Sequence, residues 1–97
     1  MKHILYKNDD GLLLFWCPGC DEPHGCWTGT PNHLTGAKWT WNDDMERPTF
    51  SPSLLLTGYS SHGQERCCHS FVRDGQIQFL TDSSHSLAGK TVPLNPW

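Results

Sequence analysis

The strongest constraint on the fold of this chain is the distribution of its five cysteines. Cys17 and Cys20 enclose a Pro-Gly pair directly after an apolar run, and Cys67, Cys68 and His69 stand together much later. A chain of 97 residues buries only about 60–65% of its unfolded surface, so its core is thin. Small domains usually need disulfides or a metal ion in addition to such a core. The cysteines therefore predict a cross-link between distant parts of the chain.

The choice between disulfides and a metal depends on the redox compartment. The five cysteines cannot all pair within one chain. The N-terminal residues contain no apolar stretch long enough for a signal peptide. No segment reaches the roughly 20 apolar residues of a membrane helix. We therefore expect a cytoplasmic protein without a membrane segment, in which the clustered thiols bind one zinc ion.

Two hairpins are marked by Asp-Gly pairs, which favour tight turns because glycine accepts a positive φ. The first joins the apolar run of residues 4–6 to that of residues 12–17. The second joins residues 67–73 to residues 76–80, where apolar side chains alternate with glutamines. Both patterns predict antiparallel strands with one face covered.

The same kinds of pattern predict further strands and one helical turn. Residues 38–42 alternate polar and aromatic side chains and predict a strand, and residues 91–92 predict a short final one. Between residues 21 and 32, proline and glycine are too frequent for a helix, and we expect at most a short strand. Residues 82–84 can cap a single helical turn. The fold class that we predict for a single domain over residues 1–97 is mainly β, a small antiparallel β domain of hairpins with a zinc-ribbon-like metal site and little helix.

The candidate ligands begin with Cys17 and Cys20, because a Cys-x-x-Cys turn brings two thiolates onto one ion. Zinc takes about four ligands in a tetrahedron. Further candidates are Cys68, His69, His24 and His85, with Cys67 as an alternative. On a strand, Cys67 and His69 face one side and Cys68 faces the other. Residue spacing alone leaves both arrangements open.

The cysteines admit three other uses. A redox Cys-x-x-Cys motif stands at the start of a helix, but Pro23 and Gly25 interrupt the segment that follows here. A disulfide framework requires an oxidising compartment. A thiol can also be a small core residue, which is the preferred interpretation of Cys26 beside Trp27. We therefore favour the metal.

Three blocks of the sequence occur in a characteristic order. They are residues 15–20 with His24, residues 41–42 with 47–53, and residues 68–80 with Asp82, His85 and 87–89. These blocks resemble a small family of uncharacterised phage and bacterial proteins, the domain of unknown function family numbered 6527. The third block is the most specific of the three.

This resemblance implies a metal-binding protein carried by phages and prophages, with some relatives in bacterial ubiquitin-like conjugation operons. It implies no established reaction. The ligands that it favours are Cys17, Cys20, Cys68 and His69, with His24 and His85 as the remaining matches. Asp21 stands where the family has glycine, which leaves open how tightly the Cys-x-x-Cys segment turns.

Two functions follow as expectations. The first is a binding or interaction module with a structural zinc ion and an unidentified protein partner. The alternative is a metal-dependent hydrolase with an open zinc site that uses His24, His69 and His85. The sequence contains no recognisable His-Glu-x-x-His, Ser/His/Asp or phosphate-loop pattern, so we expect a binding module rather than an enzyme. A net charge of -3 argues against nucleic acid as a partner.

Overall fold

The computed structural model describes residues 3–9, 11–28, 38–59 and 63–96. These residues form eight β-strands and no α-helix. The strands are β1 (Tyr6–Lys7), β2 (Leu12–Cys17), β3 (Glu22–Trp27), β4 (Thr40–Trp41), β5 (Phe50–Tyr59), β6 (Glu65–Arg73), β7 (Gln76–Phe79) and β8 (Thr91–Pro93). The prediction of a mainly β, antiparallel fold is confirmed. No helix in this part of the chain is long and apolar enough to cross a membrane.

The first sheet has three antiparallel strands in the order β1-β2-β3. Its central strand β2 alternates strictly between half-buried and fully buried side chains. The buried set is Leu13, Phe15 and Cys17. Because successive side chains of a strand point to opposite faces, one face of this sheet covers the core and ends in a cysteine.

The second sheet has five antiparallel strands in the order β4-β5-β6-β7-β8. Strand β6 alternates in the same way over most of its length. Its buried side chains are Cys68, Ser70 and Val72, and the partly exposed ones between them are Cys67, His69 and Phe71. The sheet therefore has a face turned to the core and a face turned to solvent.

The core lies where the two sheets meet. Phe15 of β2 and Phe50 of β5 stack with ring centroids 6.4 Å apart. Leu13, Leu54, Ile77 and Phe79 belong to the same buried cluster. Full burial of each such side chain contributes about 1.5–3 kcal/mol. The cluster also includes three cysteines, Cys17, Cys26 and Cys68, so thiols occupy a substantial part of a small core.

The predicted strand pairings of both hairpins are confirmed, and Asp10 of the first Asp-Gly pair lies outside the described residues. Strand β1 pairs with β2, and β6 pairs with β7. At the second turn, Asp74 and Gly75 have φ values of 49° and 75°, which are the two positive values that a type I′ turn requires. A Cβ atom on Gly75 would lie 3.1 Å from the Arg47 Cα, so glycine is also favoured there by space.

Two expectations are corrected. Residues 22–27 form a full six-residue strand, not a short one, because β3 is the edge strand of its sheet and an edge strand accepts Pro23. Residues 82–87 form turns and bends and no helical turn. The hydroxyls of Ser83 and Ser84 bind the backbone of β6, so they do not cap a helix.

Candidate functional site

Four predicted ligand residues meet between the two sheets. Cys17 ends β2, Cys20 lies in the turn after it, His24 lies in β3 and Cys68 lies in β6. Their ligand atoms all lie within 4.8 Å of one another. Cys17, His24 and Cys68 are buried, and Cys20 is partly buried. These four residues are close enough to bind a metal ion, and they connect residues far apart in the sequence.

The Pro-Gly turn brings the first two thiols together. The backbone N–H of Cys20 donates to the Cys17 Sγ at 3.4 Å, and the N–H of Asp21 donates to the Cys17 carbonyl at 2.8 Å. Asp21 has a φ of 56°, so it adopts the left-handed conformation that glycine favours. A Cβ atom on Gly19 would lie 2.3 Å from the His85 ring. The turn from Cys17 to Cys20 therefore forms with aspartate at position 21, because Asp21 adopts the conformation that glycine favours.

The thiols of Cys17 and Cys68 form a closely interacting pair, with their Sγ atoms 3.9 Å apart. The hydrogen bond from the Cys68 thiol lowers the pKa of Cys17. The same contact, together with burial, raises the pKa of Cys68. The contact between the two sulfurs therefore favours the thiolate form of Cys17 over that of Cys68. A buried thiolate in this position favours a cation.

The orientation of His24 suits a ligand. Its Nδ1 lies 3.1 Å from the Pro23 carbonyl oxygen, to which an Nδ1–H donates. The Nε2 atom is buried and has no hydrogen-bond partner among the described residues. A histidine that binds a metal usually donates its other ring N–H to a carbonyl or carboxylate. Three thiols and one such imidazole fit the ligand preferences of zinc.

The other predicted ligands lie outside this group of four. His85 approaches it, with its Nε2 3.5 Å from the Cys68 Sγ, and its ring packs edge-on against Phe79. Burial lowers the pKa of His85. Cys26 is buried within β3 and its pKa is raised by that burial. Cys67 and His69 lie on the opposite face of β6, because strand side chains alternate.

His69 instead belongs to a second constellation on the solvent-facing side of the five-stranded sheet. Its Nε2 lies 3.3 Å from the Ser53 Oγ, and its Nδ1 lies 3.1 Å from the Asp82 Oδ2. With an Nδ1–H donating to Asp82, Nε2 accepts the Ser53 O–H. The three side chains form one continuous hydrogen-bonded chain. A nucleophile joined to a base that a third group orients is the arrangement of a Ser-His-Asp triad.

An irregularity in β5 positions Ser53. Phe50 pairs with Val72 and Leu54 pairs with Ser70, so residues 51–53 lie opposite Phe71 alone. A bulge of this kind redirects side chains and is common beside functional sites. The carbonyl of Ser53 accepts the indole N–H of Trp39 at 3.3 Å. The Ser53 side chain is thereby held on the same face as His69.

Asp82 is held by two serines that follow it. The Ser83 hydroxyl accepts the N–H of His69 at 3.1 Å and also lies 3.1 Å from its carbonyl, to which it donates. The Ser84 hydroxyl makes the equivalent contacts with Cys67 at 2.9 and 3.2 Å. The side chains of Ser83 and Ser84 therefore attach this segment to the backbone of β6, and the Asp82 carboxylate lies next to the His69 ring.

Sequence analysis missed this constellation. Ser53, His69 and Asp82 are separated by 16 and 13 positions, and they follow none of the short motifs of known serine hydrolases. A weak signal was present, because Pro52 within a strand pattern indicates a bulge or an edge. That signal points to an irregular backbone at Ser53 but does not identify its partners.

The three residues lie on an open face of the sheet. One surface cavity of about 460 Å³ is lined by Lys7, Trp39, Trp41 and their neighbours, and another of about 150 Å³ lies beside Cys20 and His85. The walls of these two cavities do not include Ser53, His69 or Asp82. Among the described residues, the His69 side chain is 27% exposed and that of Asp82 is 57% exposed, so solvent reaches the constellation.

Comparison with known proteins identifies the class. The model of a protein family described as the bacterial ubiquitination-like system serine protease matches residues 1–80 of this chain. The match covers most of the chain, which therefore belongs to this family, BubE. It contains Ser53 and His69, and Asp82 lies just after its end. No curated protein and no solved structure matches the chain.

This match corrects the expectations drawn from resemblance. The family is BubE and not the domain of unknown function family numbered 6527. The descriptions as a phage protein and as uncharacterised are wrong for the same reason. The two functional expectations, a zinc-binding interaction module and a metal-dependent hydrolase at His24, His69 and His85, are also wrong, because the family is one of serine proteases. His69 lies on the face of β6 opposite to Cys68, where its ring contacts Ser53 and Asp82.

Proposed function

We propose that this chain is a serine protease that cleaves a peptide bond in a protein of a bacterial ubiquitination-like system. Ser53 is the nucleophile, His69 is the general base and Asp82 orients His69. The observation that carries the proposal is the continuous contact from Ser53 Oγ through both ring nitrogens of His69 to Asp82, at 3.3 and 3.1 Å. The family description supports the reaction class.

The acylation step uses the contact between Ser53 and His69 and the contact between His69 and Asp82. The Ser53 Oγ forms a bond to the carbonyl carbon of the scissile peptide, while its proton moves to His69 Nε2. The proton then passes from Nε2 to the amine nitrogen as the C–N bond breaks. The amine product leaves, and an ester joins Ser53 to the rest of the substrate. Asp82 stabilises the imidazolium that exists between these two transfers.

Deacylation repeats the sequence with water. A water oxygen attacks the ester carbonyl and gives its proton to His69 Nε2. The proton returns to the Ser53 Oγ as the ester bond breaks, and a free carboxylic acid is released. The enzyme is regenerated, and no redox partner is needed.

The separation between Ser53 and His69 is compatible with this role. A distance of 3.3 Å is somewhat longer than an ideal hydrogen bond to oxygen. Catalytic hydrogen bonds are often long without substrate and shorten in the reacting complex. The Asp82 side chain is 57% exposed, so water screens its charge. We therefore expect Asp82 to contribute less than a buried aspartate would.

The open setting of the triad favours a protein substrate. A small molecule needs a concave pocket that covers most of its surface, and the two cavities described above among the described residues do not include the triad in their walls. A protein can instead make contacts over the whole exposed face of the sheet.

The direct test is labelling of Ser53 by a fluorophosphonate, which forms a covalent bond with an activated serine. We expect one adduct per chain, located on Ser53 by peptide mapping, and none in Ser53→Ala. The same substitution should reduce hydrolysis of p-nitrophenyl acetate by about a thousandfold or more.

The matched control is Ser51→Ala, which removes an exposed hydroxyl two positions earlier in the same strand. This variant should label and react like the unmodified chain. Labelling that persists in Ser53→Ala, or an adduct on another serine, would overturn the proposed function.

The second part of the proposal concerns the cysteine cluster. We propose that Cys17, Cys20, His24 and Cys68 bind one zinc ion, which fills a tetrahedral set of three thiolates and one imidazole. The unpartnered Nε2 of His24 and the lowered pKa of Cys17 support this choice. The ion would connect the two sheets within a single domain. Reduced thiols are required, which fits a cytoplasmic location.

A further inference from the structure

One exposed apolar residue stands directly beside the triad. Four large apolar side chains are exposed among the described residues: Tyr6, Met45, Leu55 and Tyr59. Leu55 is 59% exposed and is the direct cross-strand partner of His69. A single exposed leucine is ordinary in itself. Leu55 differs from the other three residues because it lies opposite the proposed catalytic base.

The register fixes how close Leu55 is to the reacting atoms. Directly opposite residues of an antiparallel pair have Cβ atoms about 4.5–5.5 Å apart. Two positions along a strand span about 7 Å, which separates Leu55 from Ser53. His69 and Ser53 are in contact on this face at 3.3 Å, so Leu55 stands beside both. A substrate carbonyl at the Ser53 Oγ therefore has Leu55 within reach of its neighbouring groups.

Two side chains of this surface, Leu55 and Phe71, are apolar. Leu55 offers only a hydrocarbon surface, and Phe71 lies on the same face of β6, with its ring covered on one side by the Arg73 guanidinium at 4.3 Å. Removing the exposed part of Leu55 from water requires an apolar partner. The side chain nearest to the nucleophile through acylation and deacylation is that of the residue carrying the scissile carbonyl.

We propose that Leu55 forms a substrate subsite for an apolar side chain on the acyl side of the scissile bond. This inference rests on the proposed function and names a specificity-determining residue for it. Contact with Leu55 holds the scissile carbonyl next to Ser53, and such positioning raises the rate because less orientational freedom remains to be lost. A substrate with a short acyl group lacks this contact.

The test compares p-nitrophenyl acetate with p-nitrophenyl hexanoate, which differ in acyl chain length only. For the unmodified chain we expect a kcat/KM for hexanoate at least about tenfold above that for acetate. Leu55→Ala should reduce this ratio to about one. Leu55→Met keeps an apolar side chain of similar size and should retain the preference.

The matched control is Tyr59→Ala, which removes a side chain that is 73% exposed at the far end of the same strand. Tyr59 pairs with Glu65 and lies about 13 Å along the strand from Leu55. The ratio should not change in this variant. Circular dichroism spectra of the variants are compared with that of the unmodified chain to test whether each variant folds.

The outcomes separate the inference from the function on which it rests. Hydrolysis that depends on Ser53 without any preference for hexanoate would overturn the subsite alone. The same holds if Leu55→Ala keeps the preference, or if Tyr59→Ala loses it equally. Hydrolysis that persists in Ser53→Ala would overturn the proposed function and the subsite together.

Discussion

Cys68 and His69 are neighbours in the chain but belong to opposite sides of one sheet. Cys68 is fully buried, and its Sγ lies 3.9 Å from Cys17 of the other sheet. The His69 side chain is 27% exposed and contacts Ser53 and Asp82 on the solvent-facing side. One strand thus supplies both the cysteine cluster and the proposed catalytic centre.

The difference between these two regions reflects what each needs. A metal held by thiolates is best enclosed, because a closed ligand set leaves no position for water. A nucleophile must be reached by its substrate, so it lies on an open surface. For the proposed zinc ion and the proposed catalytic centre, the alternation of a β-strand meets both needs within two residues. We therefore expect changes at the two positions to separate stability from activity.

The largest expected effect is on activity. His69→Ala should reduce kcat for p-nitrophenyl acetate by about 10⁴-fold or more, because neither the Ser53 proton nor the leaving group has a partner for proton transfer. The melting temperature should change little, since the ring lies outside the core. Steady-state kinetics and thermal unfolding measure the two quantities.

The control for this change is His3→Ala, which removes an exposed histidine whose ring packs only on Tyr6 among the described aromatic residues. Its kcat should equal that of the unmodified chain. If His69→Ala remained active, the assignment of the base would be wrong.

The second effect is on metal content and stability. Cys68→Ala removes a ligand and should abolish binding of the zinc ion as measured by native mass spectrometry. The melting temperature should fall by more than about 10 °C, because metal binding free energy is coupled to folding. Chelation of the unmodified chain should have the same effect.

Cys67→Ala is the matched control, since it removes the adjacent thiol from the other face of β6. It should keep one zinc ion and a nearly unchanged melting temperature. Equal metal loss in both variants, or full metal content in Cys68→Ala, would contradict the division between the two faces.

The smallest expected effect is on kcat, through the position of Asp82. Ser83 binds the backbone of His69 through its hydroxyl, so Ser83→Ala should loosen the contact of Asp82 with His69. We expect kcat to fall about tenfold with KM unchanged, as for the loss of one orienting hydrogen bond. Ser83→Thr retains the hydroxyl and should restore most of the rate.

Ser84→Ala provides the comparison, because the Ser84 hydroxyl makes the same contacts with Cys67. Ser84→Ala should lower the melting temperature by about as much as Ser83→Ala does, while kcat stays unchanged. Equal losses of kcat in both variants would indicate a general loosening of the loop, and Ser83 would then have no particular role in positioning.

The hairpins show where sequence reasoning succeeds. The Asp74-Gly75 pair needs positive φ at both positions, and few residue pairs accept this, so the turn and its two strands could be read directly. The nearness of Cys17 to Cys68 was likewise predicted, because a thin core needs a cross-link. The length of β3 was not, because the tolerance of Pro23 depends on its place at the edge of a sheet.

His69 shows where such reasoning fails. Because Cys68 is its neighbour in the chain, His69 was predicted to bind the metal. The spacing of Ser53, His69 and Asp82 in the sequence does not indicate that these residues are in contact. Only the bulge in β5 and the hydroxyl contacts of Ser83 and Ser84 bring them together. These are long-range contacts, and their geometry depends on the whole sheet.

The amino-acid sequence by itself determined the antiparallel strands, their tight turns and the supply of thiols, since turn chemistry and the period of two are local properties of the chain. The tertiary structure decided which face of β6 each side chain occupies and which distant partners it meets there. Register between strands sets those partners, and a shift by one residue would exchange the two faces. For this reason Cys68 lies in the cysteine cluster with Cys17, Cys20 and His24, whereas His69 contacts Ser53 and Asp82.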